Sequence, residues 1–334
     1  MPNQSSAKIE HDFLRASPKR LAVCTCTRGF AVNSSNRVVR ASDADTTQQY
    51  LSPLTQPCVL MSFDPSIFNY LLVSPLDGSA GPFQLHCDSI DWDKEVTGLH
   101  WDSQLQQVIV AQPDRITAMD LSGGVSLQLG ADRLGLREGA DSLNICGVAG
   151  NNDSILLLDR SGPRLLVLSK RRPIWSIVNL SSEPLLANAD LGSIAASGKS
   201  IFVGDNSTGR IFKLCIETGR VTVHSEVVLG SPRLCQIAAD SRGHVVVSGF
   251  TSNSIAVLNT DGKVLQTLAE VRGNPLRLPS GVAVLESGGS FTLLLAEYGR
   301  MRLLVLPLTS SYLDLSYRTE HISDLCQQFC RVLS

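Results

Sequence analysis

The sequence predicts an all-β protein, a six-bladed β-propeller of four-stranded antiparallel blades, and three observations support this fold class. The first is a repeated phrase that occurs as LMSFD, GLHWD, GVAGN, SIAAS, QIAAD and GVAVL, starting at 60, 98, 147, 193, 236 and 281. The second is its spacing, because consecutive copies start 38, 49, 46, 43 and 45 residues apart, which is typical of propeller blades. The third is the run of strand-forming residues that follows each copy.

These runs are rich in Val, Ile and Leu, as in ILLLD at 155–159 and RLLVLS at 164–169. Ser-Gly, Thr-Gly, Asp-Gly and Gly-Gly turns separate them, and this pattern is typical of hairpins of β-strands. Small residues such as Gly147 and Ala195 occupy the first strand of the units, where blades converge on a crowded axis. Closure of the blades into a ring then explains why the repeat stops after six copies.

The two ends of the repeat leave the blade number open. The stretch at 21–42 alternates like a hairpin without containing the phrase, so it either closes the ring or is the remains of a seventh blade. A run at 312–317 could be a fourth strand of the last unit, which keeps seven blades as the alternative. We therefore predict a flexible tail at 1–19, a propeller at 20–317, and a C-terminal tail at 318–334 in which a short helix is an option.

Composition limits the kinds of partner. With 29 Lys and Arg against 31 Asp and Glu, the net charge is −2, so no overall electrostatic attraction holds DNA or an anionic membrane. The chain has no apolar run of roughly 18 residues and no recognisable export signal. Nine cysteines, an odd and scattered set, favour a reducing compartment. We expect a cytoplasmic protein, with the nucleus as the alternative, and no DNA or membrane partner.

Motifs for catalysis are missing from the sequence. It contains no Gly-x-Ser-x-Gly elbow, no phosphate-binding loop and no paired Cys-x-x-Cys zinc motif, and its six histidines form no cluster. We therefore predict a non-enzymatic protein without a cofactor. Its main expected role is an interaction scaffold that binds a protein partner through a propeller face built from loops.

Two segments resemble one family of propellers. Pro279-Ser280-Gly281-Val282-Ala283-Val284, and Val203-Gly204-Asp205 through Arg210-Ile211-Phe212, are similar to NHL repeats. Gly249 and Ser254 depart from the family, since they stand where it has an acid and an arginine. The resemblance to the propeller domain of tripartite-motif NHL proteins implies an adaptor in ubiquitin or RNA regulation. The RING and B-box modules of those proteins are absent from this sequence.

Basic residues offer a second function, the binding of single-stranded RNA. Arginine follows an acid by five residues at Asp159 and Arg164, at Asp205 and Arg210, and at Glu297 and Arg302, and the two either pair across their hairpin or face a ligand. A separate basic run lies beside an aromatic ring, which supplies charge for phosphates and a surface for base stacking. The candidates for a binding face are Arg115, Arg164, Arg210, Arg302, Lys170, Arg171, Arg172 and Trp175.

A third function is a metal-dependent hydrolase like the gluconolactonase-type propellers. Glu95, Asn144 and Asp190 precede the first strands of three successive units, so their side chains could converge at one mouth of the channel. Oxygen ligands of this kind suit calcium, which would then be the cofactor. The alternative is that all three are ordinary turn and capping residues.

Overall fold

In the residues that it describes, a computed structural model of the chain is all-β, with a short 3₁₀ helix at Tyr298–Arg300. In the described residues no helix is long and apolar enough to cross a membrane. The predicted tails at 1–19 and 318–334, and the run at 312–317, lie outside them. The structure describes residues 20–25, 31–32, 38–39, 49–50, 57–62, 71–75, 83–85, 87–134, 143–171, 174–215, 220–226, 229–230, 234–287, 290–300 and 302–308.

Blade 1 begins with a strand that the repeat did not identify. The strands are Arg20–Thr25 (β1), Ala31–Val32 (β2), Val38–Val39 (β3), Gln49–Tyr50 (β4), Pro57–Ser62 (β5), Leu71–Pro75 (β6) and Phe83–Leu85 (β7). Blade 1 has the antiparallel order β1-β5-β6-β7, while β2, β3 and β4 form a small separate sheet. The first copy of the phrase therefore overlaps a second strand, and the N-terminal run supplies the innermost one.

Blades 2 to 5 each take four consecutive strands in chain order, paired antiparallel. Blade 2 contains Gly98–Asp102 (β8), Gln107–Gln112 (β9), Arg115–Met119 (β10) and Val125–Gly130 (β11). Blade 3 contains Ile145–Gly150 (β12), Ser154–Asp159 (β13), Arg164–Ser169 (β14) and Trp175–Asn179 (β15). Blade 4 contains Leu191–Ser197 (β16), Ser200–Asp205 (β17), Ile211–Cys215 (β18) and Val221–Ser225 (β19). Blade 5 contains Leu234–Ala239 (β20), Val245–Gly249 (β21), Ser254–Leu258 (β22) and Val264–Leu268 (β23).

The remaining unit corrects the predicted blade number. After a short hairpin of Glu270–Val271 (β24) and Asn274–Pro275 (β25), the chain forms Pro279–Ser287 (β26), Ser290–Glu297 (β27) and Arg302–Leu308 (β28). These last three strands make a three-stranded sheet, and β26 packs between β20 and β1. The described residues thus form five four-stranded blades. The predictions of six such blades, and of seven, are wrong because the last unit contributes only three described strands.

Apolar side chains fill the spaces between neighbouring blades. Between blades 2 and 3, for example, Ile109 and Ile116 pack with Ile155 and Leu157, all fully or almost fully buried. Burial of this aliphatic surface is the main source of stability for such a sheet assembly. Blades 3 and 4 pack in the same manner around Phe212.

Near the axis the inner strands approach so closely that glycine is required at positions such as Gly98 and Gly147. A Cβ added to Gly98 would stand 2.9 Å from Cγ1 of Val148, and one added to Gly147 would stand 2.9 Å from Cγ2 of Ile194. Real Cβ atoms do not tolerate such distances, so each glycine admits a side chain from the next blade. The expected crowding at the axis is confirmed.

Candidate binding site at a mouth of the channel

In three copies of the repeated phrase, the last residue has a side chain that closes the turn after the inner strand. Oδ1 of Asp102 accepts hydrogen bonds from the N–H groups of Gln104 and Leu105, both at 3.0 Å. Oδ1 of Asn151 accepts one from Ser154 at 2.8 Å. Such side-chain bonds stabilise tight turns. Because the inner strands run in the same direction, these turns meet at one end of the channel, which we call the first-turn mouth (turns at 103–106, 151–153, 198–199 and 241–243, with Glu286).

A cleft of about 630 Å³ opens at the first-turn mouth. Turns of blades 3, 4 and 5 and the end of β26 line it, and its polar lining side chains are Asn151, Asn152, Asp153, Ser154, Lys199, Asp240, Ser241 and Glu286. It adjoins a cavity of about 260 Å³ inside the channel, since Gly150, Ala196 and Ala239 line both. The two spaces therefore share part of their walls.

The wall of the channel cavity combines small side chains with backbone polar groups. Ala149, Ala195, Ala238 and Ala283 lie along it, one from each of four sheets. Each inner strand pairs with a neighbour of its own sheet on one edge only, so its other edge faces the axis. Unpaired strand edges carry N–H donors and C=O acceptors. The cavity therefore offers hydrogen bonds without offering charge.

A buried ion pair joins blades 2 and 3 at this mouth. Nζ of Lys170, from the β14–β15 hairpin, lies 2.6 Å from Oδ2 of Asp102, and the side chains are 8% and 0% exposed. The same Nζ donates to the carbonyl of Asn151 at 2.5 Å. Lys170 was a candidate for RNA phosphates, and the structure places its charge in a contact between blades.

His100 lies just below this ion pair and lines the channel cavity. Its Nε2 packs against Gly150, where any added Cβ would collide with the ring. Burial lowers the pKa of His100 to about 4, an effect that the charge of Lys170 reinforces and that of Asp102 opposes. The imidazole is therefore neutral at physiological pH.

Two carboxylates in the cleft, those of Asp240 and Glu286, are engaged in structural bonds. Asp240 accepts from the N–H of His244 at 2.8 Å and also lies 2.8 Å from Nδ1 of that ring. Glu286 accepts from the N–H of Ser241 at 2.5 Å, which ties β26 to blade 5. These contacts fix the rim of the cleft in place.

The opposite end of the channel, which we call the second-turn mouth, contains the turns at 160–163 and 206–210 and the residues that precede the inner strands. Here the acidic residue at the end of a second strand accepts a hydrogen bond from a backbone N–H group just before an inner strand. Asp159 accepts from the N–H of Asn144 at 2.9 Å, and Asp205 accepts from that of Asp190 at 2.9 Å. Glu297 likewise accepts from the N–H of Arg277 at 2.7 Å. The acid in the predicted acid-to-arginine step thus has a structural role in three sheets.

Two arginines of the acid-to-arginine step, Arg164 and Arg210, contact carboxylates. Nε of Arg164 lies 2.7 Å from Oδ2 of Asp159 across its own hairpin. Arg210 pairs instead with Glu226, at 2.7 Å. Arg302 begins β28, and its side chain lies outside the description.

Arg115 pairs with Asp114 at 2.8 Å, close to Lys94. Burial opposes ionisation of Asp114, but hydrogen bonds from Arg115 and Lys94 outweigh it and lower the pKa of this carboxyl to about 2. Arg115 therefore has a fully ionised partner at neutral pH.

The rest of the basic run is dispersed. Arg171 lies 3.0 Å from Asp153, with both side chains well exposed, and Arg172 lies outside the described residues. Trp175 is half-buried and packs against the core between blades 2 and 3. Its ring is therefore only partly open to a stacked base.

The proposed calcium ligands lie near starts of inner strands, all exposed to solvent. Asp190 is engaged by Arg160, whose Nε lies 3.3 Å from its carboxylate. No group of three or more His, Cys, Asp or Glu that could hold a metal occurs in the part of the chain that the structure describes. The site of Glu95, Asn144 and Asp190 stays a prediction.

Sequence reasoning missed the cleft and its ion pair. The available signal was the polar residue that ends the phrase at Asp102, Asn151 and Asp240, because such residues mark turns that would gather at one mouth. Nothing local linked Lys170 to Asp102, since 68 residues separate them.

Comparison with known proteins supports the fold and leaves the family open. No family model matches the chain, and no curated protein matches it. A chain of the nidogen/laminin complex is similar, with a TM-score of 0.54 and 13% identity over 74% of this chain and 89% of that one. Streptogramin B lyase has a TM-score of 0.53 and 13% identity over 87% and 85%. Virginiamycin B lyase from Staphylococcus aureus has 0.54 and 14% over 88% and 87%. At these identities the likeness shows a β-propeller fold alone, and the NHL resemblance is not confirmed.

Proposed function

We propose that this protein is a non-enzymatic binding module that takes a segment of a partner protein into the cleft at the first-turn mouth. The observation that carries the proposal is the 630 Å³ cleft at the first-turn mouth, which shares lining residues with the channel cavity. A concave site of this size with a few polar groups is the usual form of a binding site.

The chemistry of the site suits an extended loop or chain end. At the rim, Asn152, Lys199 and Ser241 are exposed and present amide, ammonium and hydroxyl groups. Deeper in, the strand edges offer backbone donors and acceptors beside small apolar walls. A peptide carries the complementary backbone groups and can place one small side chain in the channel.

Catalysis receives less support from the same residues. Asp240 and Glu286 hold the rim together, and the ring of His244 is not among the groups that line the cleft. His100 does line the channel, but a base with a pKa of about 4 accepts protons poorly at neutral pH. We therefore favour binding over the hydrolase that the sequence left open.

RNA binding is also less favoured. Arg115, Arg164 and Arg210 each contact a carboxylate, and Lys170 is buried in an ion pair. Affinity for RNA depends on cations that can replace counterions along the phosphates. Arginines that are already paired with carboxylates are poor replacements for these counterions, so they add little affinity for RNA.

The structural neighbours are compatible with the proposal without deciding it. One is a chain of a complex between two proteins, and others are lyases, so the shared fold hosts both kinds of function. The ubiquitin and RNA-regulatory adaptors implied by the NHL resemblance indicate where a partner could be sought. We propose that this partner is cytoplasmic.

The test is affinity enrichment from cell extract with two matched asparagine variants. Asn152 is exposed in the cleft, and Asn144 is exposed at the second-turn mouth. We expect Asn152→Trp to lose proteins that the wild-type chain enriches, because the indole would block the cleft, while Asn144→Trp retains them. Equal enrichment by both variants, or no partner for the wild-type chain, would refute the proposal.

A further inference from the structure

The outer strand of blade 3, β15, has its backbone polar groups arranged in a fixed alternation. The N–H of Leu180 donates to the carbonyl of Pro163 at 2.8 Å, and the N–H of Ser169 donates to that of Ile174 at 3.3 Å. In an antiparallel ladder the residues that exchange such bonds alternate along the strand. With the register of β14 and β15, the even-numbered residues from 174 to 180 therefore face β14.

The odd-numbered residues Trp175, Ile177 and Asn179 consequently point their backbone groups away from the blade. No described residue bonds to the backbone N–H or C=O of Trp175 or Ile177 on that side. The carbonyl of Asn179 accepts from Oγ of Ser182 at 3.1 Å and keeps a second lone pair. The edge of β15 is thus open to another strand.

Two apolar side chains of this segment are well exposed. Ile174 and Ile177 are 63% and 48% exposed, more than any other large hydrophobic residue in the described ranges. The segment 174–182, IWSIVNLSS, contains no charge. Soluble proteins normally protect open strand edges with charges, prolines or covering segments.

Other outer strands show such protection. On β11 the carbonyl of Gln128 accepts from Arg133 at 3.2 Å. On β19 the blade 5 turn at Gly262 lies against the carbonyl of His224. The open edge of β15 therefore differs from these two.

The charges flanking β15 identify which partner fits. Arg171 and Glu183 lie six residues before and six residues after Ile177. If two copies of the strand pair antiparallel around Ile177, the turn with Arg171 in one copy lies beside the turn with Glu183 in the other. Because such a pair of strands is two-fold symmetric, this contact between opposite charges occurs twice. The contact of Arg171 with Asp153 is well exposed, and an ion pair of that kind is weak enough to exchange.

We propose that this chain forms a two-fold symmetric dimer in which β15 pairs antiparallel with β15 of a second copy, centred on Ile177. The two central isoleucines exchange both of their backbone hydrogen bonds, and Trp175 of each copy exchanges both with Asn179 of the other. The two blades then form one continuous sheet. This surface lies on the outer edge of blade 3 and is separate from the cleft.

Sedimentation velocity over a concentration series tests the dimer. We expect the wild-type chain to shift from monomer to dimer, and Ile177→Lys to raise the dissociation constant at least about tenfold, because it sets two like charges opposite each other. Val264→Lys is the matched control, since Val264 is an exposed valine on the outer strand of blade 5, and should leave the constant unchanged. A wild-type chain that stays monomeric, or an Ile177→Lys variant that dimerises like wild type, would overturn the proposal.

Charge reversal tests the register with substitutions at surface turns. Arg171→Glu and Glu183→Arg should each weaken the homodimer, whereas an equal mixture of the two variants should form a heterodimer, because every cross pair is then opposite in sign. The double variant should recover wild-type dimerisation. If the mixture is no stronger than either variant alone, the antiparallel register around Ile177 is wrong.

Discussion

At the first-turn mouth Asp102 bonds to the turn that directly follows it, whereas at the second-turn mouth Asp159 bonds both to Ser161 in its following turn and to Asn144, 15 residues earlier. Both are buried aspartates at the end of a strand, and both have a cationic partner. The cation of Asp159 comes from its own hairpin, and that of Asp102 comes from the next blade. The same residue type therefore closes a blade internally at one mouth and joins two blades at the other.

This difference bears on where a ligand can bind. At the second-turn mouth, Asp159, Asp205 and Glu297 tie the chain that enters the inner strands to the strand beside it. At the first-turn mouth the hydrogen bonds lie within single turns or link the turns of neighbouring sheets. A cleft remains between these turns. Four predictions, from the largest expected effect to the smallest, test this contrast.

Replacement of Asp159 by Ala should cost the most stability. The carboxylate is fully buried and accepts from the N–H of Asn144, from Ser161 and from Arg164, so its loss leaves buried donors without an acceptor. We expect a loss of about 4 kcal/mol in the free energy of unfolding, measured by urea titration. Asp190→Ala, at an exposed carboxylate of the same mouth, is the control and should change it by less than about 0.5 kcal/mol. Similar losses for the two variants would contradict this account.

Replacement of Lys170 by Met should cost about 3 kcal/mol, because it leaves the buried carboxylate of Asp102 without its cation. The double variant Lys170→Met with Asp102→Asn should recover part of that loss, since the uncompensated charge is then gone. Urea titration of the single and double variants measures the coupling. A single variant as stable as wild type would show that the ion pair does not join the blades.

Acid should weaken the fold through His100. Its folded pKa of about 4 lies below its ordinary value of 6.5, so the unfolded chain binds more protons between these values and stability falls as the pH drops through this window. The effect should amount to about 2 kcal/mol between pH 7 and pH 5. His224, whose pKa burial also lowers, acts in the same direction. His100→Gln should flatten the pH dependence of stability measured by urea titration at each pH, and an unchanged slope would argue against a His100 ring that is neutral in the folded protein.

Replacement of Arg210 by Ala should have the smallest effect. Its pair with Glu226 is exposed, so we expect a change below about 0.5 kcal/mol. Arg164→Ala, at the same position of the neighbouring blade, should cost several times more because Asp159 is buried. Thermal unfolding of both variants measures the ratio. Equal shifts in Tm would mean that burial does not separate the two arginines.

The sequence predicted the first three strands of blades 2 to 5 because their pattern is local. Hydrophobic runs, glycine turns and small residues near the axis, such as Gly147, are set by contacts that recur in each blade. The innermost strand of blade 1 was not identified, since β1 is separated from β5 by 31 residues and does not contain the phrase. A repeat search follows regular spacing and fails where an insertion divides a blade.

The blade number and the site depended on long-range contacts. The fourth strand expected at 312–317 lies outside the described residues. In the residues that are described, the strands form five four-stranded blades, whereas counting phrases had predicted six. In the sequence, Lys170 belongs to a basic run, but in the fold its ammonium group pairs with the carboxylate of Asp102 in another blade. Such pairings depend on the packing of blades, which residue type and spacing do not specify.

Site-specific photo-crosslinking in cells tests the location of the binding site most directly. A benzophenone amino acid would replace Asn152 at the first-turn mouth or Asn144 at the second-turn mouth, two exposed asparagines of the same blade. The account predicts a discrete adduct with another protein from position 152 and none from position 144. Adducts from position 144 alone, or from neither position, would contradict the assignment of the first-turn mouth as the binding site.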